Sequence, residues 1–313
     1  MFVAMTDRIT EPKLNYVQCP TPAQHQPEGG THRLAYWEWN QTGDAQHPHV
    51  IVCVHGLTRQ GRDFDVLAQT LSHSARVICP DIVGRGHSDW LQDPSAYAVP
   101  QYVSDMLVLL HHLHAQAHIQ RLDWVGTSMG GLIGMGIAGA PQLPVPKTID
   151  RLVLNDVGPK LEWEALQRIG AYVGQTTHYA TVEEGAAALR TLAPGFGPHT
   201  DAQWLALSRP MLHALPQGGF RLHYDPRIAH PLHTLTQTQA AEGEPLLWAL
   251  YDGIGSRTLL LRGAQSDLLS TETAQRMGQR GPCAACIEFA GVGHAPTLIA
   301  QDQVAAVQNF IFG

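Results

Sequence analysis

A serine between two glycines, where an apolar run meets a run of small residues, constrains the fold of this chain more than any other feature. The pattern Gly-x-Ser-x-Gly runs from Gly126 to Gly130 with Ser128 at its centre; residues 122–125 precede it and residues 131–140 follow. This order predicts a strand, a tight turn and a helix, with the serine hydroxyl exposed at the turn. Glycine is needed on both sides because a Cβ atom there would collide with the neighbouring strand or helix. The free N–H groups at the start of the helix favour negative charge beside the hydroxyl.

Several apolar runs of similar length occur on either side of this motif. Residues 49–54, 76–79 and 151–155 lack the alternation of a half-exposed strand and are typical of strands buried on both faces of a sheet. Between them, residues 62–71 and 102–117 place apolar side chains at helical spacing. Strands that alternate with helices predict an α/β fold, a mostly parallel central sheet with helices on both faces. In such a sheet, reactive groups gather in the loops at the carboxyl ends of the strands.

The chain divides into three parts by its residue patterns. Residues 1–30 are rich in Pro, Gln and Thr and lack periodicity, which predicts a loosely ordered N-terminal arm. Residues 31–159 and 244–313 carry the alternation of strands and helices and are expected to form the α/β core. Residues 160–243 contain helical segments without an intervening strand, and aromatic side chains are frequent among them. This part is predicted to be a helical lid inserted into the core.

The charge content excludes several classes of partner. The 313 residues include 27 acidic and 20 basic side chains, and charged residues make up 15% of the chain. Such a sparse and acidic balance argues against a nucleic-acid or anionic-membrane surface. No apolar run reaches the length of a transmembrane helix, and residues 1–27 lack the basic and apolar regions of a secretory signal. We therefore expect no nucleic-acid or membrane partner and a cytoplasmic location.

No sequence motif indicates a metal or a cofactor. Cys283 and Cys286 form a Cys-x-x-Cys pair, but the second pair that would complete a zinc site is missing. Neither a phosphate-binding loop nor a dinucleotide-binding glycine pattern occurs. The sequence predicts that the protein uses no cofactor and no metal.

A serine at such a turn becomes a nucleophile only with a base and with an acid that orients the base. His294 has glycine-rich neighbours after the last predicted strand, where it can reach over the sheet edge, and we predict that it is the base. Asp267 follows the penultimate predicted strand and is the predicted orienting acid. Asp156, directly after the strand at 151–155, is the alternative acid. Strands joined by short connections usually lie side by side, which favours Asp267.

Backbone N–H groups complete the predicted site. A carbonyl oxygen that becomes negatively charged when its carbon is attacked requires hydrogen-bond donors. We expect one donor to be the N–H of Met129, the residue after the serine. The other is expected to be the N–H of Leu57, in the loop that follows residues 49–54 and is shaped by His55 and Gly56.

From about residue 30 onward the chain resembles the α/β-hydrolase fold family. The segments that carry the resemblance are His55-Gly56-Leu57-Thr58, Asp81-x-x-Gly84-x-Gly86-x-Ser88, Gly126-Thr127-Ser128-Met129-Gly130-Gly131, Gly263-x-x-x-Asp267 and Gly293-His294. The order Ser128, Asp267, His294 is the order in which that family places its nucleophile, acid and base. The resemblance implies an eight-stranded sheet, a lid after strand six, and a loop at 81–88 that belongs to the fold rather than to the chemistry.

The resemblance also implies an activity. We expect a serine hydrolase, similar to carboxylesterases, that cleaves carboxylic esters through an acyl-enzyme on Ser128. The aromatic content of the predicted lid suggests a small-molecule substrate with an apolar acyl or alcohol group. The alternatives within the same fold are a carbon–carbon bond hydrolase, a thioesterase, a lactonase or a cofactor-free haloperoxidase. A further alternative is a ligand receptor whose site turns over slowly, and the oligomeric state is left open.

Overall fold

The computed structural model describes residues 11–21 and 30–313. The strands of this part of the chain are β1 (Lys13–Thr21), β2 (Gly30–Trp39), β3 (His49–Val54), β4 (Arg76–Asp81), β5 (Arg121–Thr127), β6 (Arg151–Asn155), β7 (His178–Tyr179), β8 (Leu212–Ala214), β9 (Phe220–Leu222), β10 (Arg257–Gly263) and β11 (Ala285–Phe289). The α-helices are α1 (Asp65–Leu71), α2 (Val99–Gln116), α3 (Met129–Ala138), α4 (Trp163–Tyr172), α5 (Val182–Leu192), α6 (Asp201–Ser208), α7 (His230–Thr234), α8 (Gln237–Asp252), α9 (Thr271–Met277) and α10 (Gln301–Phe312).

Eight of these strands form one twisted sheet in the order β1-β2-β4-β3-β5-β6-β10-β11. The pairs from β4 through β3, β5, β6 and β10 to β11 are all parallel, whereas β1–β2 and β2–β4 are antiparallel. The prediction of a mostly parallel central sheet is therefore confirmed. Because the parallel strands end at one edge, the loops after β3, β5, β6, β10 and β11 meet there.

Apolar side chains cover both faces of this sheet. Successive side chains of a strand point to opposite faces, and β3 has Val50 and Val52 in one buried cluster but Ile51 and Cys53 in the other. The first cluster includes residues of α2 and α3, and the second includes residues of α1 and α10. Helices thus pack on both faces, as the continuous apolar runs predicted.

The N-terminal part differs from its prediction. Residues 13–21 are not a loosely ordered arm but the strand β1, paired with β2 from Lys13 opposite Glu38 to Thr21 opposite Gly30. The remainder of the predicted arm, residues 1–10 and 22–29, lies outside the described residues. The paired edge has a physical basis, because Val17 and Cys19 alternate with exposed residues and are buried.

Helices α4 to α8 lie in the long segment that joins β6 to β10, and so do three short strands. The order β7-β9-β8 forms a small antiparallel sheet that the sequence did not predict. Residue 243, where the predicted lid ends, lies inside α8. The C-terminal half of α8 packs against the core, with Trp248 and Tyr251 buried in the first cluster.

None of the helices in the described part of the chain has both the length and the apolar character needed to cross a membrane.

Candidate active site

Ser128 lies at the turn between β5 and α3 in a backbone conformation that is strained for any residue with a side chain, with φ 51° and ψ −115°. The chain passes so close to its neighbours here that a Cβ atom on Gly130 would lie 2.0 Å from the carbonyl oxygen of Val54, and one on Gly126 would lie 2.3 Å from that of Gly130. The Trp124 indole N–H donates to the Gly130 carbonyl at 3.0 Å and fixes the first turn of the helix. Glycine is therefore required at both positions, as the sequence pattern predicted.

The His294 ring bridges this serine and a carboxylate. Its Nε2 lies 3.0 Å from Ser128 Oγ, and its Nδ1 lies 2.7 Å from Asp156 Oδ2. A carboxylate oxygen accepts, so Nδ1–H is the donor and Nε2 is free to accept from the serine hydroxyl. The three side chains form one hydrogen-bonded chain that ends in a buried carboxylate.

Asp156 is held from several directions. It follows β6 with a positive φ of 55° and is fully buried. Its Oδ1 accepts the backbone N–H of Gly263 at 2.8 Å, and its Oδ2 accepts the Ser266 hydroxyl at 2.6 Å. These bonds come from β10 and the loop that follows it, so the two neighbouring strands lock the carboxylate toward the histidine.

The prediction that Asp267 orients His294 is wrong in its geometry. The carboxylate of Asp267 instead forms a bidentate pair with Arg168 of α4, at 2.7 Å to Nε and 2.9 Å to Nη2. The physical reason is that Ser266 turns inward to bond Asp156, which directs the next side chain outward, where it is about half exposed. The alternative acid, Asp156, takes the position that the sequence assigned to Asp267.

The loop after β3 is held by a buried histidine. His55 Nδ1 donates to the Gly56 carbonyl at 2.7 Å, and Nε2 accepts the backbone N–H of Ile82 at 2.9 Å. Burial lowers the pKa of His55 to about 3, so the ring stays neutral and keeps this donor and acceptor pattern. In a trans peptide the carbonyl and the next N–H point in opposite directions. Anchoring the Gly56 carbonyl therefore fixes the direction of the Leu57 N–H, the predicted donor.

Arg85 touches both residues whose N–H groups were predicted as donors, and sequence reasoning missed it. It is fully buried, its Nε donates to the Leu57 carbonyl at 2.8 Å, and its Nη2 lies 3.7 Å from Met129 Sδ. Its Nη1 also donates to the Tyr102 hydroxyl at 3.0 Å. The sequence pattern assigns the loop 81–88 to the fold alone. The signal that could have suggested more is an arginine between two glycines in this loop.

A cavity of about 440 Å³ opens onto Ser128 and His294, a size typical of small-molecule sites. Most of the apolar side chains that line it come from the segment between β6 and β10, among them Ile169, Tyr172, Leu189, Leu192, Pro194, Phe196, Leu207, Met211 and Leu222. Leu57 also lines it. Its charged lining residues are Arg59, Asp63, Arg168 and Asp267.

The same segment contacts the loop that carries the histidine. The Gly293 N–H donates to the Gly195 carbonyl at 2.7 Å, and a Cβ atom on Gly195 would lie 2.9 Å from the backbone nitrogen of His294. On the other side of the histidine, Thr297 Oγ1 lies 3.1 Å from His199 Nε2. The position of His294 therefore depends on the segment between β6 and β10 as well as on the sheet.

A second cluster of potential ligand side chains lies away from this cavity. Cys19, His32 and Asp105 are all buried, with one potential ligand atom from each within 4.8 Å of the others. Asp105 already accepts from His32 Nε2 at 3.0 Å and from Gln101 Nε2 at 2.7 Å, and burial raises the pKa of the Cys19 thiol. A protonated thiol is a poor metal ligand. The cluster is a hydrogen-bonded brace between α2 and the first two strands.

The chain matches a known protein family over most of its length. Residues 51–307 match the model of the alpha/beta hydrolase family, and the chain belongs to that family. It is an enzyme of the hydrolase class with the fold that its sequence resembled.

One relative in sequence and two solved structures are similar to the chain over nearly its whole length. The chain is 48% identical over 306 residues to the 3-hydroxybutyrate-oligomer hydrolase of Cupriavidus necator, an alignment that covers 96% of this chain and 98% of the relative. An alpha/beta hydrolase from Novosphingobium aromaticivorans superposes with a TM-score of 0.79 at 34% identity, over 97% of this chain and 99% of the other. A putative hydrolase from Rickettsia typhi gives a TM-score of 0.81 at 25% identity, over 96% and 98% of the two chains.

Proposed function

We propose that this protein is a serine hydrolase that cleaves the ester bonds of short 3-hydroxybutyrate oligomers. The observation that carries the proposal is the hydrogen-bonded chain from Ser128 through His294 to Asp156. A hydroxyl, an imidazole and a buried carboxylate in this order are the groups that acyl transfer requires. Ser128 and His294 of this hydrogen-bonded chain line the cavity, so a substrate carbonyl can reach the serine hydroxyl.

In the proposed reaction His294 Nε2 takes the proton of Ser128 as Oγ attacks the ester carbonyl. The negative charge that develops on the carbonyl oxygen is stabilised by the N–H groups of Leu57 and Met129. His294 then gives the proton to the leaving alkoxide, and an acyl-enzyme remains on Ser128. Water, activated by the same imidazole, attacks the acyl-enzyme and releases the acid.

Asp156 acts in this mechanism by holding the histidine. It accepts Nδ1–H, which leaves Nε2 as the acceptor for the serine proton, and it stabilises the imidazolium that forms in the transition state. The bonds from Gly263 and Ser266 keep its two oxygens in place. His55 and Arg85 are proposed to position the oxyanion donors through the Gly56 and Leu57 carbonyls.

The substrate class comes from the relative in Cupriavidus necator, whose name specifies 3-hydroxybutyrate oligomers. An identity of 48% over nearly the whole length of both chains supports the same substrate here. The largely apolar cavity wall suits the methyl-substituted backbone of such an oligoester. We infer that the segment 160–243 acts as a lid and selects the substrate, because it supplies most of the apolar side chains of that wall.

The test is hydrolysis of the linear dimer of 3-hydroxybutyrate by the purified full-length protein, followed by chromatography of the released monomer. Ser128→Ala should lose several orders of magnitude in turnover, since the three groups act as a unit. The exposed Ser74 provides the matched control, and Ser74→Ala should retain the wild-type rate.

Two further substrates separate the alternatives. p-Nitrophenyl butyrate reports on ester cleavage without the oligomer, and butyryl thioester reports on thioesterase activity. Turnover of the dimer by Ser128→Ala would contradict the covalent mechanism. A preference for the thioester, with no cleavage of the dimer, would contradict the assigned substrate.

A further inference from the structure

Two ion pairs line the cavity, and the proposed mechanism uses neither of them. Arg59 pairs with Asp63, and Arg168 of α4 pairs with Asp267. Both arginines line the same cavity as Ser128. A cavity that binds only neutral esters has no need of either cation, so each arginine is a candidate for binding a charged ligand.

The pair of Arg59 and Asp63 has a structural role. The side chains of Arg59 and Asp63 are 11% and 18% exposed. Arg59 Nε donates to Asp63 Oδ2 at 2.8 Å, its Nη2 donates to the Leu207 carbonyl at 2.9 Å, and its guanidinium lies over the Phe196 ring. Removing such a buried charge from its partners is costly. This arginine therefore holds the wall together.

The pair of Arg168 and Asp267 is exposed to solvent. The side chains of Arg168 and Asp267 are 43% and 47% exposed, and the pair uses only Nε and Nη2 of the guanidinium. A half-exposed pair is weak because water screens it. One carboxylate can therefore replace another on this guanidinium at little cost, and the displaced Asp267 can turn into solvent.

We infer that Arg168 binds the free carboxylate of the oligomer substrate and that Asp267 occupies this position in the unliganded protein. The inference rests on the proposed function. A guanidinium binds a carboxylate through parallel N–H bonds, which is the contact that Asp267 makes. In the dimer of 3-hydroxybutyrate, the carboxylate belongs to the unit that leaves as the alcohol. Its capture places the neighbouring ester bond in the cavity that contains Ser128.

This arrangement makes the two members of the pair act in opposite directions. Arg168 attracts an anionic substrate, whereas Asp267 competes with it for the same donors and repels it by its charge. Removing the arginine should weaken binding of the acid, and removing the aspartate charge should strengthen it. If the pair only braced α4 against the loop after β10, removing either charge would break the same contact. The two substitutions would then change binding of the acid in the same direction.

The experiment compares the dimer acid with the same dimer carrying a primary amide in place of its carboxylate. Both offer the same ester bond, so the ratio of their kcat/KM values isolates recognition of the carboxylate. Arg168→Gln should lower this ratio by about tenfold, mainly through a higher KM for the acid, in the range expected for one partly exposed charged contact. Asp267→Asn should raise the ratio by about threefold, because a competing carboxylate is removed.

Arg190→Gln is the matched control. Arg190 belongs to α5 of the same segment, forms an exposed ion pair with Asp201 and is absent from the cavity wall. Its substitution should leave the ratio at the wild-type value. Arg168→Lys keeps the positive charge but loses the planar guanidinium that makes two parallel hydrogen bonds, and it should give an intermediate ratio.

The outcomes separate the inference from the function on which it rests. If Arg168→Gln leaves the acid-to-amide ratio unchanged, or if both substitutions at the pair lower it, the carboxylate site is contradicted. Hydrolysis of p-nitrophenyl butyrate by the wild-type protein would still support the ester hydrolase in either case. Absence of any serine-dependent ester cleavage would instead contradict the proposed function itself.

Discussion

Asp156 and Asp267 lie at the same edge of the sheet, and the direction of the Ser266 side chain decides which one meets His294. Asp156 follows β6 directly and is locked by the Gly263 N–H and the Ser266 hydroxyl. Asp267 follows that serine and points outward to Arg168. Strand order alone places both carboxylates within reach, since β6 and β10 are neighbours. The direction of a single loop side chain cannot be deduced from the spacing of the strands.

Amide substitutions at the two positions should separate their roles. Asp156→Asn keeps the shape of the side chain but can present an N–H toward His294 Nδ1, so the wrong tautomer is favoured. We expect a loss of about 10³- to 10⁴-fold in kcat on p-nitrophenyl butyrate, as in a well-studied triad. Asp267→Asn should lose far less on this neutral ester. Steady-state kinetics on both variants, with circular dichroism as a check of folding, provide the measurement, and a larger loss at Asp267 would reverse the assignment.

Other parts of the site could be predicted at the level of single residues. Ser128 is recognisable because its turn requires glycines, and His294 because glycines accompany it after the last strand. The structure brings these two side chains together as the sequence indicated. The contacts of Arg85 with Leu57, Tyr102 and Met129 could not be predicted, because they depend on three elements that are distant in the chain.

At the scale of elements, long apolar runs were predictable and short strands were not. β3 and β5 are buried along almost their whole length, so their composition alone identifies them. β7, β8 and β9 contain only two or three residues each, which is too short for any periodicity to appear. The helix α8 continues through residue 243 because Trp248 and Tyr251 in its last turns are buried against the core, a contact that a local pattern does not reveal.

The contact between the segment after β6 and the histidine loop gives a prediction at this scale. Gly195→Ala inserts a Cβ atom 2.9 Å from the His294 nitrogen and 3.0 Å from its carbonyl oxygen, so the histidine loop has to move. Because a displacement of about 1 Å in a reacting group can cost 10²-fold, we expect kcat on p-nitrophenyl butyrate to fall by about 10- to 100-fold.

Gly243→Ala is the control for this substitution. Gly243 lies in α8, and a Cβ atom there would meet nothing within 4 Å. Alanine in a helix interior is favoured over glycine, so this variant should keep its activity and melt at the same or a slightly higher temperature. Unchanged kinetics in Gly195→Ala would show that the segment does not position the histidine.

At the scale of the whole molecule, the burial of neutral side chains couples stability to pH. His55 is fully buried, and burial lowers its pKa to about 3 from an ordinary value of 6.5. Below pH 6.5 the unfolded chain binds a proton at this position, and the folded protein does not until the pH approaches 3. The stability that His55 contributes is therefore present at neutral pH and is lost progressively as the pH falls through this window.

We expect this one group to lower the free energy of unfolding by about 2 kcal/mol between pH 7 and pH 5. His55→Asn keeps a donor for the Gly56 carbonyl but does not titrate, so its stability should fall by that much less over the same interval. Urea denaturation at both pH values provides the comparison, and His73→Asn, at an exposed position, should retain the wild-type difference. Equal pH dependence in His55→Asn and wild type would contradict the buried neutral ring.

The wide spacing of the three site residues along the chain has a consequence for biosynthesis. Ser128 and His294 are 166 residues apart, and Asp156 and His294 are 138 apart. A ribosome that has made the serine and the aspartate must still add the whole segment after β6, β10 and β11 before the histidine emerges. In the proposed mechanism, a chain that ends before residue 294 carries an inert hydroxyl, so reactivity can appear only after the histidine has left the ribosome.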